Sequence, residues 1–306
     1  MEEVFRQITM IALLTLVGFT AFKLKILNAE IKSGLTEVVL RIAIPSAIIA
    51  SGSLSISGSE WMRVLYIFAS SVVFHLTIFL FMKHIGSKWY PSVSKGKAGV
   101  LSVTFGNVMF VGYPIVTGMF GAEGLFLASI FTAVFNFLIF TVGRQLLTET
   151  DRNSFKSMLL TPFNLSFAVM LALLIFQIKL PVVLQETLQT LGGLSTPLSL
   201  LTIGCMIAQA DFSRIFSDKY LALTTLLRCL AVPLATLTVM YFLPFDIVLR
   251  KTVIALSAMP VAATAVMLCE QHGCEAEFSS FSVAQSTIVF IGTFPLIMYL
   301  TDRFIR

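Results

Sequence analysis

Apolar residues run along this chain in blocks close to the roughly 20 residues that carry a helix across a bilayer, separated by short polar or Gly/Pro-marked breaks. The first five blocks are Val4–Phe22, Gly34–Leu54, Trp61–Met82, Ala98–Phe120 and Leu125–Leu147. After a polar stretch, Thr148–Ser157, come Met158–Gln177, Leu188–Ala208, Tyr220–Leu243, Val248–Leu268 and Phe278–Leu300. This pattern predicts an all-α integral membrane protein with about ten transmembrane helices and no sizeable soluble domain. The first block follows Glu2 and Glu3, without a basic n-region or a small-residue cleavage site, and reads as a first span rather than a signal peptide.

Composition agrees. Of 306 residues, 57% are hydrophobic and 12% charged, whereas soluble domains carry roughly 25% charged residues. A net charge of +5 would suggest nucleic acid for a soluble protein. Here the Lys and Arg sit in short connections between apolar blocks, so topology and lipid headgroups account for them, and no nucleic-acid partner is expected. One side of the membrane receives Lys23, Lys25, Lys32, Lys83, Lys88, Lys95, Lys97, Arg144, Arg152, Lys156, Arg214 and Lys219. The other receives only Arg6, Lys179, Arg250, Lys251, Arg303 and Arg306. The first side is therefore read as cytoplasmic, with both termini outside, as for a multi-pass protein of the cell membrane.

Five spans on each side of one connector invert the second half relative to the first, giving a first repeat over residues 1–147, a cytoplasmic connector at 148–157 and an inverted repeat over 158–306. The halves echo one another. Pro45 of the second span matches Pro197 of the seventh, and Pro114 of the fourth matches Pro260 of the ninth, at offsets of roughly 150 residues. Proline removes a backbone donor and glycine permits a break, so GNVMFVGYPIVTGMFG (106–121) and LSAMPVAATAV (256–266) are read as interrupted spans. Corresponding interruptions in two halves point to a transport site at the bilayer midplane.

Two broken helices crossing there aim the positive ends of their second halves, near Gly112, Tyr113, Pro114 and Ile115 and near Pro260, Val261 and Ala262, at one volume suited to a carboxylate. A kinked, glycine-packed helix is the plainer alternative for the fourth span. Asn107 can offer amide donors, and Ser257 can do the same or bond its own helix. Arg228, inside the eighth span, is either a counter-charge for an anion or a partner for carbonyl groups. His75 is either a proton relay or a neutral core histidine, while Arg41 and Arg63 lie near span ends and are read as snorkelling. Asn136 in the fifth span and Gln285, Ser286 and Thr287 in the tenth either line a cavity or join helices. No Asp or Glu falls near the middle of a span, which weighs against cation exchange through paired carboxylates. Cys205, Cys229, Cys269 and Cys274 lack paired spacing, and neither a disulfide framework nor a metal site at Cys269, His272 and Cys274 is expected. No cofactor is expected either.

The stretch from Asn107 through Gly112-Tyr-Pro114 into MFGAEG, together with MPVAATAVMLCEQHG and a last span ending TFPLI, resembles the auxin efflux carriers and their bacterial permease relatives over essentially the whole chain. The resemblance implies two inverted five-helix repeats with crossover helices four and nine, a fold like that of bile-acid transporters and sodium–proton antiporters. It implies a scaffold of spans 1, 2, 6 and 7, a moving domain from the rest, and a homodimer formed through the scaffold. It further implies elevator-type movement of organic monoanions or dicarboxylates, with Asn107, Pro114 and Pro260 at the substrate site. The short connector departs from the plant members, so the regulatory role of a long cytoplasmic loop does not carry over. The expected function is a malate- or malonate-type permease driven by a proton or sodium gradient or by the membrane potential. A membrane-embedded lipid or isoprenoid enzyme and a non-transporting sensor are the competing readings; the first lacks the acidic or His-rich clusters such chemistry needs.

Overall fold

The computed structural model describes residues 2–52, 58–147, 161–209 and 215–305. The connector Thr148–Ser157, with Arg152 and Lys156, and also Arg214 lie outside them. The described residues form helices and no strand, only one isolated bridge. We number the helices α1 (Glu2–Lys23), α2 (Ala29–Ser51), α3 (Gly58–Trp89), α4 (Val93–Thr104), α5 (Val108–Leu147), α6 (Pro162–Ile175), α7 (Val182–Gln209), α8 (Lys219–Phe242), α9 (Ile247–Ser257), α10 (Ala263–Gln271) and α11 (Ala276–Phe304). Six stretches of these are long and apolar enough to cross a membrane. Large apolar side chains such as Leu16, Leu80, Phe176 and Val183 stand exposed around the outside, as a lipid-facing surface requires. The protein is a multi-pass integral membrane protein.

Three wide, π-helical turns, Val39–Ala43, Val108–Gly112 and Leu227–Ala231, each end two residues before a proline: Pro45, Pro114 and Pro233. Proline lacks the N–H that would close the preceding turn and its ring crowds the carbonyl four residues back, so a widened turn lets the helix continue past it. α5 is kinked at Gly121, whose φ of 61° suits a residue without a Cβ.

The helices pack as two groups. In the first, α1 lies along α7, and α2 packs on α6 and α7. Gly18 and Gly204 let α1 and α7 touch: a Cβ at either would strike the other helix's backbone, at Leu201 and Thr15 respectively. In the second, α3 packs on α4 and α5, α5 on α9, and α8 and α11 close around α4, α9 and α10. α5 and α11 form the seam against α1 and α7. Arg63 of α3 pairs with Glu123 of α5 and with Asp246, at 2.9 Å, which also caps α9. Sequence reading has Arg63 snorkelling; in the fold it ties three segments of the second group together. Lys95–Asp218 at 3.0 Å and Lys251–Asp302 at 2.6 Å lie within the same group.

Candidate functional site

Both expected interruptions occur in the second group, and they meet. α4 stops at Thr104, Phe105 is extended, and the chain resumes as α5 at Val108. The other break spans Ala258 to Ala262, between α9 and α10. The Asn107 N–H donates to Pro260 O at 2.7 Å, the Ala262 N–H donates to Phe105 O at 3.0 Å, and Gly106 and Val261 form an antiparallel bridge. Backbone groups freed by the breaks thus satisfy each other, which a low-dielectric interior demands. The Val261 N–H donates to Ser286 Oγ at 3.0 Å, anchoring the joint to α11.

The first break lies at Phe105–Asn107, about two turns before the expected Gly112–Ile115. Pro114 does not make it, because the wide turn over Val108–Gly112 absorbs that proline. Gly106 lies within the break, where a Cβ would occupy the space of the Arg228 guanidinium.

Asn107 is the N-cap of α5. Its Oδ1 accepts from the Phe110 N–H at 3.2 Å, and the residue is half-buried. The carboxamide N–H donors have no partner among the described residues, so they are free to meet an anion. α10 begins at Ala262 without any side-chain cap, and Ala263 is exposed. The positive ends of α5 and α10 therefore both adjoin the joint.

Arg228, fully buried in the wide turn of α8, takes the opposite ends. Its Nε donates to Met259 O at 2.8 Å, and Nη1 donates to Val103 O at 3.1 Å and Thr104 O at 3.4 Å. These are the terminal carbonyls of α4 and of the segment leaving α9, the negative ends of the two dipoles. The fold displays the carbonyl partner for Nε and Nη1, while the buried Nη2 has no hydrogen-bond partner among the described residues.

The other candidates divide. Gly112 is buried against α9, where a Cβ would come within 2.9 Å of Leu256. Tyr113 and Pro114 are buried behind the joint, and Val261 and Ala262 form it. Ser257 Oγ donates to Ile254 O at 2.7 Å within its own helix. Asn136 is buried next to Phe135, whose ring meets Phe105 edge-on, and no hydrogen bond described here links its side chain to the joint. Gln285 bridges α11 to Thr225 and to Ile215 O, a helix-joining role. His75 Nδ1 bonds Ser71 O at 2.8 Å inside a box of Phe74, Phe105, Phe131 and Phe135. Sequence reasoning names Gly106 and Ser286 without their roles here; a small residue before Asn107 and a hydroxyl on the last span are the only traces they leave.

A cavity of about 640 Å³ between α3, α8 and α9 is lined mostly by apolar groups such as Val73, Phe81, Val103 and Val239, with Ser70, Thr77 and Thr236 among them. None of its lining residues carries a charge. A gap of about 20 Å³ at the seam, bounded by Thr15, Val111, Ile203 and Thr287, separates the start of α5 from α1 and α7.

The chain matches the model of a family described as "Membrane transport protein" over residues 3–158 and 155–298. It is 27% identical to an uncharacterized transporter of Methanothermobacter thermautotrophicus over 94% of each chain. It is 25% identical to an uncharacterized transporter of Methanocaldococcus jannaschii, over 85% of this chain and 87% of the relative. With broken helices paired at their centres and a family match along nearly its whole length, this chain belongs to the membrane transport protein family, that of the auxin efflux carriers, and is a transporter rather than an enzyme.

Proposed function

We propose that the protein is a secondary transporter of the cell membrane that carries a small organic anion, a mono- or dicarboxylate, bound where the starts of α5 and α10 flank the joint. The observation that carries this reading is the pairing of the two breaks: it brings two helix N-terminal ends together, one uncapped and one capped by a half-exposed Asn107 with amide donors to spare. Helix N-termini offer N–H groups and positive potential to a carboxylate without the cost of burying a second charged side chain. An inverted pair of five-helix repeats, with both termini outside the cell, is the topology we propose around this site. An elevator motion suits the packing, because the ion pairs of Arg63, Lys95 and Lys251 bind the second group to itself while the seam to α1 and α7 is lined mostly by apolar side chains. The first group would then be the scaffold, and a homodimer formed through it would leave the second group free to move.

Purified protein in proteoliposomes should take up radiolabelled malonate or malate saturably. Asn107→Ala should reduce that uptake by about tenfold, the loss of one or two hydrogen bonds to a charged group. Uptake by the variant equal to that of the unaltered protein would remove the site from this place.

A further inference from the structure

We propose that the Arg228 guanidinium is a resident cation: it permanently fills a carbonyl-lined position at the crossing, so that an anion binds at the starts of α5 and α10 without a co-bound metal ion at that position. The functional arm of this inference rests on the anion-carrier reading; its structural arm does not.

The argument starts from the helix ends. The last carbonyls of a helix have no partner within it, and its dipole places roughly half a negative charge there. At this crossing two such ends converge, from α4 through Val103 O and Thr104 O and from the α9 side through Met259 O. Three carbonyl oxygens gathered around one group are the kind of partners a cation takes. Here that group is the guanidinium of a side chain. Arg228 is 0% exposed, and its described hydrogen bonds all go to main-chain oxygens. The position is built for it. Gly106 supplies the room, because a Cβ would overlap the guanidinium, and the wide turn Leu227–Ala231 carries the residue. A guanidinium stays protonated throughout the physiological pH range, so this charge is neither gained nor lost during a cycle.

The electrostatic consequence follows from the geometry. With Arg228 in place, the two negative ends are neutralised and the positive ends of α5 and α10 act on the anion unopposed. Without it, uncompensated carbonyls lie directly behind the joint and repel the same anion. Arg228 is thus a positioning residue that acts through the field at the site, and no contact with substrate is needed.

The test uses the full chain, purified in detergent, with radiolabelled malonate as probe. Binding by the unaltered protein should stay within about twofold when choline replaces sodium, a difference well under one kcal/mol. Arg228→Ala should lose at least about tenfold in affinity. Guanidinium, added far below denaturing concentrations, should restore it, whereas urea, which has the same shape and no charge, should not. Rescue by urea equal to that by guanidinium, a sodium requirement in the unaltered protein, or undiminished binding by Arg228→Ala would each overturn the proposal. If Arg228→Ala fails to fold, Arg228→Lys must bind malonate more tightly than Arg228→Gln, and the reverse order counts against a role for charge. If the unaltered protein binds neither malonate nor malate, the carboxylate reading fails on its own. The melting temperature of Arg228→Ala then decides the structural arm: a rise with guanidinium and not with urea supports a resident cation, and no difference between them refutes it.

Discussion

Asn107 and Arg228 both contact the same joint and face opposite electrical problems. Asn107 stands where N–H groups begin a helix, and its carboxamide caps one of them while keeping donors of its own. Arg228 stands where carbonyls end two helices, and a fork of N–H donors is what three such oxygens can share. A third residue has a chemistry that pH can reveal. Cys274, in the turn between α10 and α11, has its thiol pulled below the ordinary value, chiefly by the neighbouring Cys269 and further by Ser94, against the opposing effect of partial burial. A lowered thiol value means thiolate is present above it and lost below it. Alkylation of Cys274 by iodoacetamide should therefore lose its rate, as pH falls, at a lower pH than alkylation of an ordinary thiol does. Mass spectrometry can follow the site, and a midpoint near that of an ordinary thiol, roughly 8.5, would contradict this environment.

At the scale of elements, α1 and α7 make a close helix contact at Gly18 and Gly204. Gly204→Leu should force these helices apart and lower stability by about 1–3 kcal/mol, the usual cost of overpacking, read as a lower melting temperature in detergent. Gly193→Leu, on the same helix with nothing within 4 Å of its Cβ position, is the control and should melt like the unaltered protein. Equal melting of both variants would show the contact to be slack. Most elements are legible in the sequence because each hides or exposes apolar surface in one block: the first span appears as α1, the third as α3, the tenth as α11. The second interruption is legible from Pro260. The first is misplaced because Pro114 advertises a break that a wide turn removes, while the real one depends on space at Gly106 for a side chain more than a hundred residues away. Arg228 is legible as a costly buried charge, but its partners are main-chain oxygens, which no residue type announces.

At the scale of the whole molecule, two groups of helices meet along a seam with a narrow gap beside the start of α5. If the second group moves past the first, tying them together must stop transport. Cysteines introduced at Val111 and Ile203, which face the same gap, should cross-link on oxidation and abolish uptake, and reduction should restore it. Full uptake by the cross-linked protein would exclude sliding along this seam. The joint at the centre also bears on how such carriers diversify. Its ties from Asn107 to Pro260 and from Ala262 to Phe105 are made by peptide groups, which every amino acid carries. If the anion is held at this joint, point substitutions can therefore redecorate the walls around it while leaving the main-chain ties intact.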